Sequence, residues 1–333
     1  MLTIPHRLPL ARLPTPLEPF DRLSEAWGGP RIWAKRDDLT GFGLSGNKIR
    51  KLELHFAAAR AAGARTVITC GALQSNHCRA TALAGARVGL EVVLLLRTPD
   101  GEPPRRLEAN HLLQRLAGAG VRFIAPDQWR HRRELMVEAA DTMEAATGNR
   151  PWLIPEGASD ALGMWAFVVA LQELDDQMVL LEGRCAGIWH AASSGGTTAG
   201  LGWGADRLGL TTPVVASSVG ESAADLSNLV SGIWEEALAT AGGMMPTPRL
   251  EIVDRYVGEG YGLVTAAELA VQAEATALTG LLFDPTYTGK AIYGLRQEIA
   301  NGRFEAGDNV VFWHTGGGFA LFASAFEFEP AAS

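Results

Sequence analysis

The chain contains 333 residues, of which 47% are hydrophobic and 20% are charged. This length and apolar content suit two packed domains of roughly 150 residues each, and they exclude wholesale disorder. The formal net charge is −8 at pH 7, and the longest basic run is residues 130–133. Nucleic-acid phosphates require more clustered positive charge than this, so we expect a small-molecule partner and no nucleic acid.

Cysteine content and hydrophobic patterning indicate a cytoplasmic protein. Cys70, Cys78 and Cys185 are an odd number and include no C-x-x-C pair, which predicts neither a disulfide framework nor a zinc site. Prolines interrupt residues 1–19, so no export signal is predicted. The uncharged stretch 185–205 has a Ser-Gly-Thr-rich centre and is interpreted as a strand, a loop and a helix start, not as a membrane span.

Short β-rich runs alternate with helical patterns along most of the chain, which predicts an α/β fold with parallel sheets between layers of helices. In the first half, strands are predicted at 66–70, 91–96, 121–124 and 152–154, and helices at 76–88, 105–117 and 131–146. In the second half, strands are predicted at 187–191, 214–218, 251–253 and 309–313, and helices at 161–174, 198–208, 223–239, 265–279 and 288–301.

Lysine is rare, and two of the four lysines lie close together. The four are Lys35, Lys48, Lys51 and Lys290. Lys48 and Lys51 are one helical turn apart after a polar turn, so both amines can reach one pocket. Two close cations favour the neutral form of one amine, and a neutral amine forms a Schiff base with an aldehyde. The segment predicts a Schiff-base lysine, with a solvated basic helix start as the alternative.

The segment 71–79 runs from a strand through a loop into a helix. Gln74, Ser75 and Asn76 bring a hydroxyl, amides and backbone donors to the helix start, which favours binding of a carboxylate. His77 is a candidate proton carrier. The alternatives are an ordinary N-cap at Asn76 and a hydrogen-bonding surface histidine.

A glycine-rich loop in segment 191–200 follows a strand and opens a helix. Its glycines let the backbone approach an anion, and the helix start supplies N–H donors and the positive end of the helix dipole. The predicted phosphate cradle consists of Ser194, Gly195, Gly196, Thr197 and Thr198. The loop matches neither G-x-G-x-x-G nor G-x-x-x-x-G-K-[ST], which excludes those two nucleotide fingerprints. A capped turn without a ligand is the alternative.

Tyrosines and a second glycine turn mark the last third of the chain. Tyr256 and Tyr261 lie in a glycine-rich segment, and Tyr287 lies in another. The last predicted strand runs into His-Thr-Gly-Gly-Gly at 314–318, at a carboxyl end, where open α/β sheets bind ligands. A phosphate cradle, a lysine at a helix start, a carboxylate cradle and strand-end hydroxyls are the parts that a pyridoxal phosphate enzyme for an amino acid needs.

Five of these motifs, in this order, resemble the family of 1-aminocyclopropane-1-carboxylate deaminase and D-cysteine desulfhydrase. They are SGNKIRKLE at 45–53, QSNH at 74–77, GEGYG at 258–262, YTGK at 287–290 and HTGG at 314–317. The resemblance covers nearly the whole chain and implies pyridoxal 5'-phosphate as cofactor, a fold type II enzyme of the tryptophan-synthase-β-like group, and a homodimer. We expect residues 52–160 to form a smaller domain inserted into a larger cofactor-binding domain made of residues 1–51 and 161–333.

The resemblance also implies which residues hold the cofactor. Lys48 is then the Schiff-base lysine, and Lys51 lies by the phosphate that the loop 194–198 holds. Asn76 bonds the phenolic oxygen of the ring, and Tyr287 packs on the ring.

The same resemblance implies the substrate contacts. Ser75 faces the substrate, and backbone groups at Asn76 and His77 help to bind its carboxylate. Tyr261 stands close to the substrate. Lys48, Ser75, Tyr261 and Tyr287 are the expected catalytic residues.

Two threonines favour one branch of this family. The deaminase pattern has a glutamate where this chain has Thr288 and a leucine where it has Thr315, whereas the desulfhydrase pattern is similar to this chain. Thr315 is then expected at the ring nitrogen and Thr288 near the substrate. A hydroxyl does not keep the nitrogen protonated as a carboxylate does, so the ring is a weaker electron sink, which suits prompt loss of a β leaving group better than cyclopropane opening.

The expected reaction is α,β-elimination, most simply from D-cysteine to pyruvate, ammonia and sulfide. The enzymatic alternatives are deamination of 1-aminocyclopropane-1-carboxylate and elimination from L-cysteate, D-serine or β-chloroalanine. A catalytically silent ligand-binding homologue is the non-enzymatic alternative, which the presence of the lysine, Ser75 and both tyrosines disfavours.

Overall fold

The computed structural model describes residues 4–324, which form two sheets covered by helices. The strands are β1 (Leu17–Pro19), β2 (Arg31–Arg36), β3 (Thr66–Ala72), β4 (Glu91–Arg97), β5 (Gly120–Ile124), β6 (Trp152–Leu153), β7 (Cys185–Ala192), β8 (Val214–Ser218), β9 (Leu250–Val253) and β10 (Asn309–His314). The helices are α1 (Asp21–Trp27), α2 (Lys48–Ala61), α3 (Asn76–Val88), α4 (Ala109–Leu116), α5 (Pro126–Trp129), α6 (Arg132–Thr147), α7 (Ala161–Gln177), α8 (Gly196–Leu208), α9 (Ala223–Ala241), α10 (Ala266–Thr279), α11 (Thr288–Ala300) and α12 (Gly318–Leu321).

The larger sheet has six strands in the order β1-β2-β10-β7-β8-β9. All neighbours are parallel except β1, which pairs antiparallel with β2. Every residue of β10 is buried, as expected for a central parallel strand that is covered on both faces. Its successive residues Phe312 and Trp313 enter opposite cores, since side chains alternate along a strand.

The smaller sheet has four parallel strands in the order β5-β4-β3-β6. Its two faces bury separate apolar clusters. Val67 of β3 belongs to the cluster that includes Phe56 of α2, and the next residue, Ile68, packs with Met136 of α6. The α/β fold class is therefore confirmed.

Most predicted elements are present, two of them with the predicted bounds. Helix α3 and strand β8 match residue for residue. Helix α4 begins four residues later than predicted, because Glu108 is extended and its carbonyl accepts a hydrogen bond from Gln74 Nε2. The short elements β1 and α1 were not predicted.

The strands of the smaller sheet all lie within the predicted inserted segment 52–160. Its first boundary falls inside α2, which packs against both α7 and α3. The division into two domains therefore stays a prediction. Within residues 4–324, none of the helices is long and apolar enough to cross a membrane.

Candidate active site

A cleft opens at the carboxyl ends of the strands. Ala72 ends β3, Ala192 ends β7 and Thr315 follows β10, and all three line the cleft. The first residues of α2 and α3 and the loop that leads into α8 complete its wall. Because parallel strands point their carboxyl ends to the same edge, motifs far apart in the sequence converge here.

Lys48 is the available amine of this cleft. Lys35 binds Glu173, Lys290 binds Val257 O and Glu268, and Lys51 donates to Gly157 O and Ser159 Oγ. Lys48 is half-buried, lines the cleft and makes no side-chain hydrogen bond or ion pair within residues 4–324.

Burial lowers the pKa of Lys48 to about 8, against the opposing charge of Glu156. The neutral amine predicted from the sequence therefore has desolvation as its cause, not the neighbouring lysine. The charge of one lysine does act on the other, but it is Lys48 that acts on Lys51. Burial is the larger cause that lowers the pKa of Lys51, and the charge of Lys48 is the second.

The loop before α8 has the features of an anion cradle. Helix α8 begins at Gly196, and a Cβ at this position would lie 2.7 Å from both Lys51 Nζ and Ser159 Oγ, so glycine is required for this close approach. Thr198 Oγ1 is buried in the cleft wall without a hydrogen-bond partner in the described part of the chain. A buried hydroxyl without a partner is costly, and an anion that accepts from it removes that cost.

The two glycines of this loop differ in their exposure to the cleft, whereas both threonines line it. Thr197 Oγ1 accepts a hydrogen bond from Asn47 Nδ2 at 3.1 Å, which joins the loop to the start of α2. Ser194, Gly195, Thr197 and Thr198 line the cleft. Gly196 and Lys51 lie behind this wall and do not line it.

Ser75, and not Asn76, is the N-cap of α3. Its Oγ accepts from the backbone N–H of Cys78 at 3.2 Å. Ser75 lines the cleft, and its hydroxyl also lies within hydrogen-bonding reach of the Cys78 thiol. The carboxylate cradle predicted at this helix start is thus open to the cleft.

His77 lines the cleft, and its ring is held by the smaller sheet. Its Nε2 lies 2.8 Å from Thr69 Oγ1, and that hydroxyl donates to Ile154 O. The imidazole is buried, and burial followed by the charge of Lys48 holds its pKa well below the ordinary value. The surface alternative is therefore wrong, whereas the roles of His77 as a proton carrier and in substrate binding stay predictions.

The side chain of Asn110 fixes the orientation of the Asn76 amide. Asn110 Nδ2 donates to Gln74 O at 2.8 Å and to Asn76 Oδ1 at 3.0 Å. A carbonyl can only accept, so the first bond identifies the donor end of Asn110 and the second directs the Nδ2 of Asn76 towards the cleft. The sequence analysis missed Asn110, because no local pattern connects it to Asn76.

Tyr261 and Tyr287 form one wall of the cleft. Their hydroxyl oxygens lie 2.6 Å apart, and their rings meet edge to face at 5.8 Å. Burial raises the pKa of Tyr261 to about 12 and that of Tyr287 well above its ordinary value. Both therefore remain protonated near neutral pH and act as hydrogen-bond donors, not as bases.

The two branch-specific threonines lie in different environments. Thr315 lines the cleft. Thr288 is fully buried, its N and Oγ1 both donate to Asp284 Oδ1, and it does not line the cleft. The predicted substrate contact of Thr288 is therefore wrong, because Asp284 uses this hydroxyl at the start of α11.

Glu156 is a cleft residue that the sequence analysis missed. It follows β6, lines the cleft and forms an ion pair with Arg132 Nε at 3.3 Å. Burial raises the pKa of its carboxyl, while Arg132, Arg97 and Lys48 oppose this shift. Its place after a predicted strand was the available signal, since ligands bind beyond the carboxyl ends of such strands.

Comparison with known proteins identifies the family. A family model described as "Pyridoxal-phosphate dependent enzyme" matches residues 8–316. A putative 1-aminocyclopropane-1-carboxylate deaminase of Thermotoga maritima is 39% identical, with 96% of this chain and 98% of the relative covered. A D-cysteine desulfhydrase of Salmonella paratyphi A is 36% identical, with 95% of each chain covered. A bifunctional D-cysteine desulfhydrase/1-aminocyclopropane-1-carboxylate deaminase of Arabidopsis thaliana, described as mitochondrial, is also 36% identical, with 95% of this chain and 79% of the relative covered.

A solved structure agrees with this assignment. A crystal structure of an ACC deaminase homologue superposes with a TM-score of 0.86 at 32% identity, covering 97% of this chain and 95% of the other. The fold type II prediction is thereby confirmed. The chain belongs to the family of pyridoxal-phosphate dependent enzymes and, within it, to the homologues of 1-aminocyclopropane-1-carboxylate deaminase and D-cysteine desulfhydrase.

Proposed function

We propose that this enzyme is a lyase that performs α,β-elimination on a small amino acid with a β leaving group, with D-cysteine as its leading substrate. The observation that carries the proposal is Lys48, an amine in the cleft wall whose pKa is lowered to about 8 by burial. The D-cysteine desulfhydrases among its relatives support the substrate.

The residues of the cleft fit the cofactor. The start of α8, the hydroxyl of Thr198 and the charge of Lys51 behind the loop suit its phosphate, and Asn76 Nδ2 suits a phenolic oxygen. Thr315 lines the cleft after β10 and is the hydroxyl that the resemblance implies for the ring nitrogen. When bound, pyridoxal phosphate supplies the electron sink that makes the α-proton of an amino acid acidic.

Lys48 Nζ takes that α-proton. With a pKa of about 8, about one tenth of the amine is neutral at pH 7. The hydroxyl of Ser75 and the N–H groups that begin α3 hold the substrate carboxylate, which fixes the Cα–H bond towards Lys48. Tyr261 and Tyr287 border the same space as proton-bearing phenols.

Elimination conserves atoms without an oxidant. The electron pair of the Cα–H bond forms a Cα–Cβ double bond, the Cβ–S bond breaks, and sulfur leaves with its pair and a proton as sulfide. Hydrolysis of the unsaturated amine by water then gives pyruvate and ammonia. A threonine hydroxyl at the ring nitrogen favours this reaction over cyclopropane opening. This argument depends on Thr315 alone, because the hydroxyl of Thr288 donates to Asp284 and does not line the cleft.

The decisive test is pyruvate release from a panel of D- and L-amino acids and 1-aminocyclopropane-1-carboxylate. We expect the highest kcat/KM for D-cysteine, with equal amounts of sulfide and pyruvate. Faster turnover of the cyclopropane substrate would contradict the argument from Thr315. Absence of pyruvate from every compound would support the catalytically silent homologue instead.

Addition of pyridoxal phosphate to the apoprotein should reveal the pKa of Lys48. Only the neutral amine attacks the aldehyde, so we expect the rate of the absorbance change to rise from pH 6 and to level off above about pH 8 to 9. For a lysine with the ordinary pKa of about 10.4, the reaction rate continues to rise through this pH range. Nα-acetyl-lysine under the same conditions is the control, and parallel profiles for protein and control would contradict the lowered pKa.

Asn110→Asp should act through Asn76. An aspartate at 110 has no donor for Asn76 Oδ1, so the amide of Asn76 is expected to turn and present its oxygen to the phenolic oxygen. We expect the spectroscopic pKa of the bound cofactor to shift by about one unit, since one unit corresponds to ~1.4 kcal/mol, a typical hydrogen-bond contribution.

Two controls separate positioning from general loosening. Gln114→Ala removes a neighbouring bond from the same helix to Leu73 O without touching Asn76, and it should leave the spectroscopic pKa in place. In an Asn76→Ala background, Asn110→Asp should have no further effect. An equal shift with and without Asn76 contradicts the positioning role.

The proposal extends to the whole molecule. The resemblance implies a homodimer, and the three free thiols suit a reducing cytoplasm. The segment 52–160 is proposed as a domain that moves relative to the rest of the chain and closes the cleft over the substrate.

A further inference from the structure

The cleft wall contains one negative charge that the proposed reaction does not use. Among the described residues that line the cleft, Glu156 is the only carboxylate and Lys48 the only ammonium. Lys48 supplies the base, and the start of α3 receives the substrate carboxylate. Glu156 therefore needs another explanation.

The backbone holds Glu156 in this position. Gly157 has φ +67°, a left-handed conformation, and a Cβ there would lie 2.5 Å from Ser194 Oγ. Ser159 Oγ lies 2.8 Å from the same hydroxyl, so the segment is seated against the anion cradle. Arg132 binds the Glu156 carboxylate from α6. The backbone and Arg132 thus orient the carboxylate, although 40% of the Glu156 side chain is exposed.

The position of Glu156 relative to a bound amino acid follows by elimination. The α-amino group goes to the Lys48 end of the cleft, and the α-carboxylate goes to Ser75 and the start of α3. Among the other side chains of the wall, Glu156 is the charged one and Tyr261 and Tyr287 carry the phenols, so we assign the β-substituent to this part of the cleft. The charge of Glu156 acts on all of these neighbours, since it also contributes to the raised pKa values of both tyrosines.

We infer that Glu156 is a specificity-determining residue that makes the enzyme accept neutral or cationic β-substituents and reject anionic ones. This inference rests on the proposed function and narrows its substrate class. A thiol, with a pKa of about 8.5, is largely neutral at pH 7, whereas sulfonate, phosphate and carboxylate groups are charged. Two like charges at close range repel, which disfavours cysteate and favours cysteine. An ammonium leaving group, as in 2,3-diaminopropionate, carries the complementary charge.

The test compares kcat/KM for cysteine, cysteate and 2,3-diaminopropionate, each in the reactive configuration, in the wild type and in Glu156→Gln. Glutamine preserves the shape and removes the charge. We expect the cysteate-to-cysteine ratio to rise about tenfold or more, a change of ~1.4 kcal/mol or more, and the diaminopropionate-to-cysteine ratio to fall. Unchanged ratios would overturn the inference.

Two further variants make the result specific. Glu221→Gln removes a nearby acid that influences the pKa of Glu156 but does not line the cleft, and it should leave both ratios unchanged. Arg132→Gln, on a solvent-exposed helix face, removes the charge that offsets Glu156 and should lower the cysteate-to-cysteine ratio further. A rise in that ratio in Arg132→Gln would contradict the inference.

Binding separates this inference from the proposed function. Equilibrium binding of the same amino acids, followed by the absorbance of the bound cofactor, requires no elimination. One outcome is that no substrate releases pyruvate, while binding depends on the charge of the substrate and Glu156→Gln abolishes this dependence. That outcome rejects the proposed reaction and supports the specificity role. The other outcome is that pyruvate is released, while binding and rates do not change with the charge at residue 156. That outcome rejects only the specificity role.

Discussion

Lys48→Ala is expected to abolish elimination and the absorbance of the lysine-bound cofactor near the boundary of the visible and ultraviolet ranges. The variant removes both the amine that holds the aldehyde and the base that takes the α-proton. Loss of a group with both roles lowers kcat by about a thousandfold or more. Absorbance spectra and pyruvate release measure the two effects separately.

Chemical mapping locates the amine directly. Borohydride reduction of the wild-type holoenzyme, followed by peptide mass spectrometry, should find the pyridoxyl group on Lys48. Lys290→Gln is the matched control, because this lysine is bound to Val257 O and Glu268 away from the cleft. A label on any other lysine, or an unchanged spectrum in Lys48→Ala, contradicts the assignment.

Much of the cleft could be predicted because strand ends carry ligand-binding residues in parallel sheets. The β-rich runs and the polar segments after them were visible in the sequence, and Lys48, Ser75, Asn76 and Thr315 do meet in one cleft. Their convergence follows from topology, since β3, β7 and β10 all end at its wall. Local patterns were sufficient here.

The orientation of individual side chains was not predictable in this way. Thr288 is held by Asp284 and does not line the cleft, and His77 is bound to Thr69 and buried instead of exposed, although both lie inside correct motifs. Asn110 acts on Asn76 from 34 residues away. Such contacts depend on the packing of separate elements, which periodicity does not encode.

The burial of a charged side chain in β2 was not predictable for a similar reason. Lys35 and Arg36 interrupt the apolar pattern of β2, yet Lys35 is fully buried because Glu173 and Gln177 of α7 bind its ammonium. From the sequence alone, a charged residue is predicted to be exposed unless the distant partner that allows its burial is known. The same network also binds Arg50, which lies two residues after Lys48.

Arg50→Met is expected to lower the free energy of unfolding by about 3–5 kcal/mol, the usual cost of removing one partner from a buried ion pair. Arg50 Nη2 lies 2.8 Å from Asp37 Oδ1 and 2.9 Å from Glu173 Oε1, and it also donates to Thr15 Oγ1 at 3.0 Å. Methionine fills the space but leaves Asp37 fully buried without this cation. Urea unfolding followed by circular dichroism measures the loss.

The pH dependence identifies the ion pair as the cause. Burial alone would raise the pKa of Glu173, but the hydrogen bond and the charge of Arg50 hold it at about 2. A carboxyl whose pKa is lowered by folding contributes stability above its unfolded pKa of about 4.3 and loses it as pH falls towards 2. The stability difference between wild type and Arg50→Met should therefore shrink between about pH 5 and pH 2.

Arg150→Gln is the control for this result, because Arg150 pairs with Asp141 and Glu144 on the surface and its loss should change stability little. A constant difference between wild type and Arg50→Met at all pH values would mean that packing, not charge, accounts for the loss. Arg50 lies in the first turn of α2, so its ion pairs with Asp37 and with Glu173 of α7 also fix the helix start that presents Lys48. The stability network and the catalytic amine therefore share one turn of helix, and Arg50→Met should also reduce kcat in the fraction that remains folded.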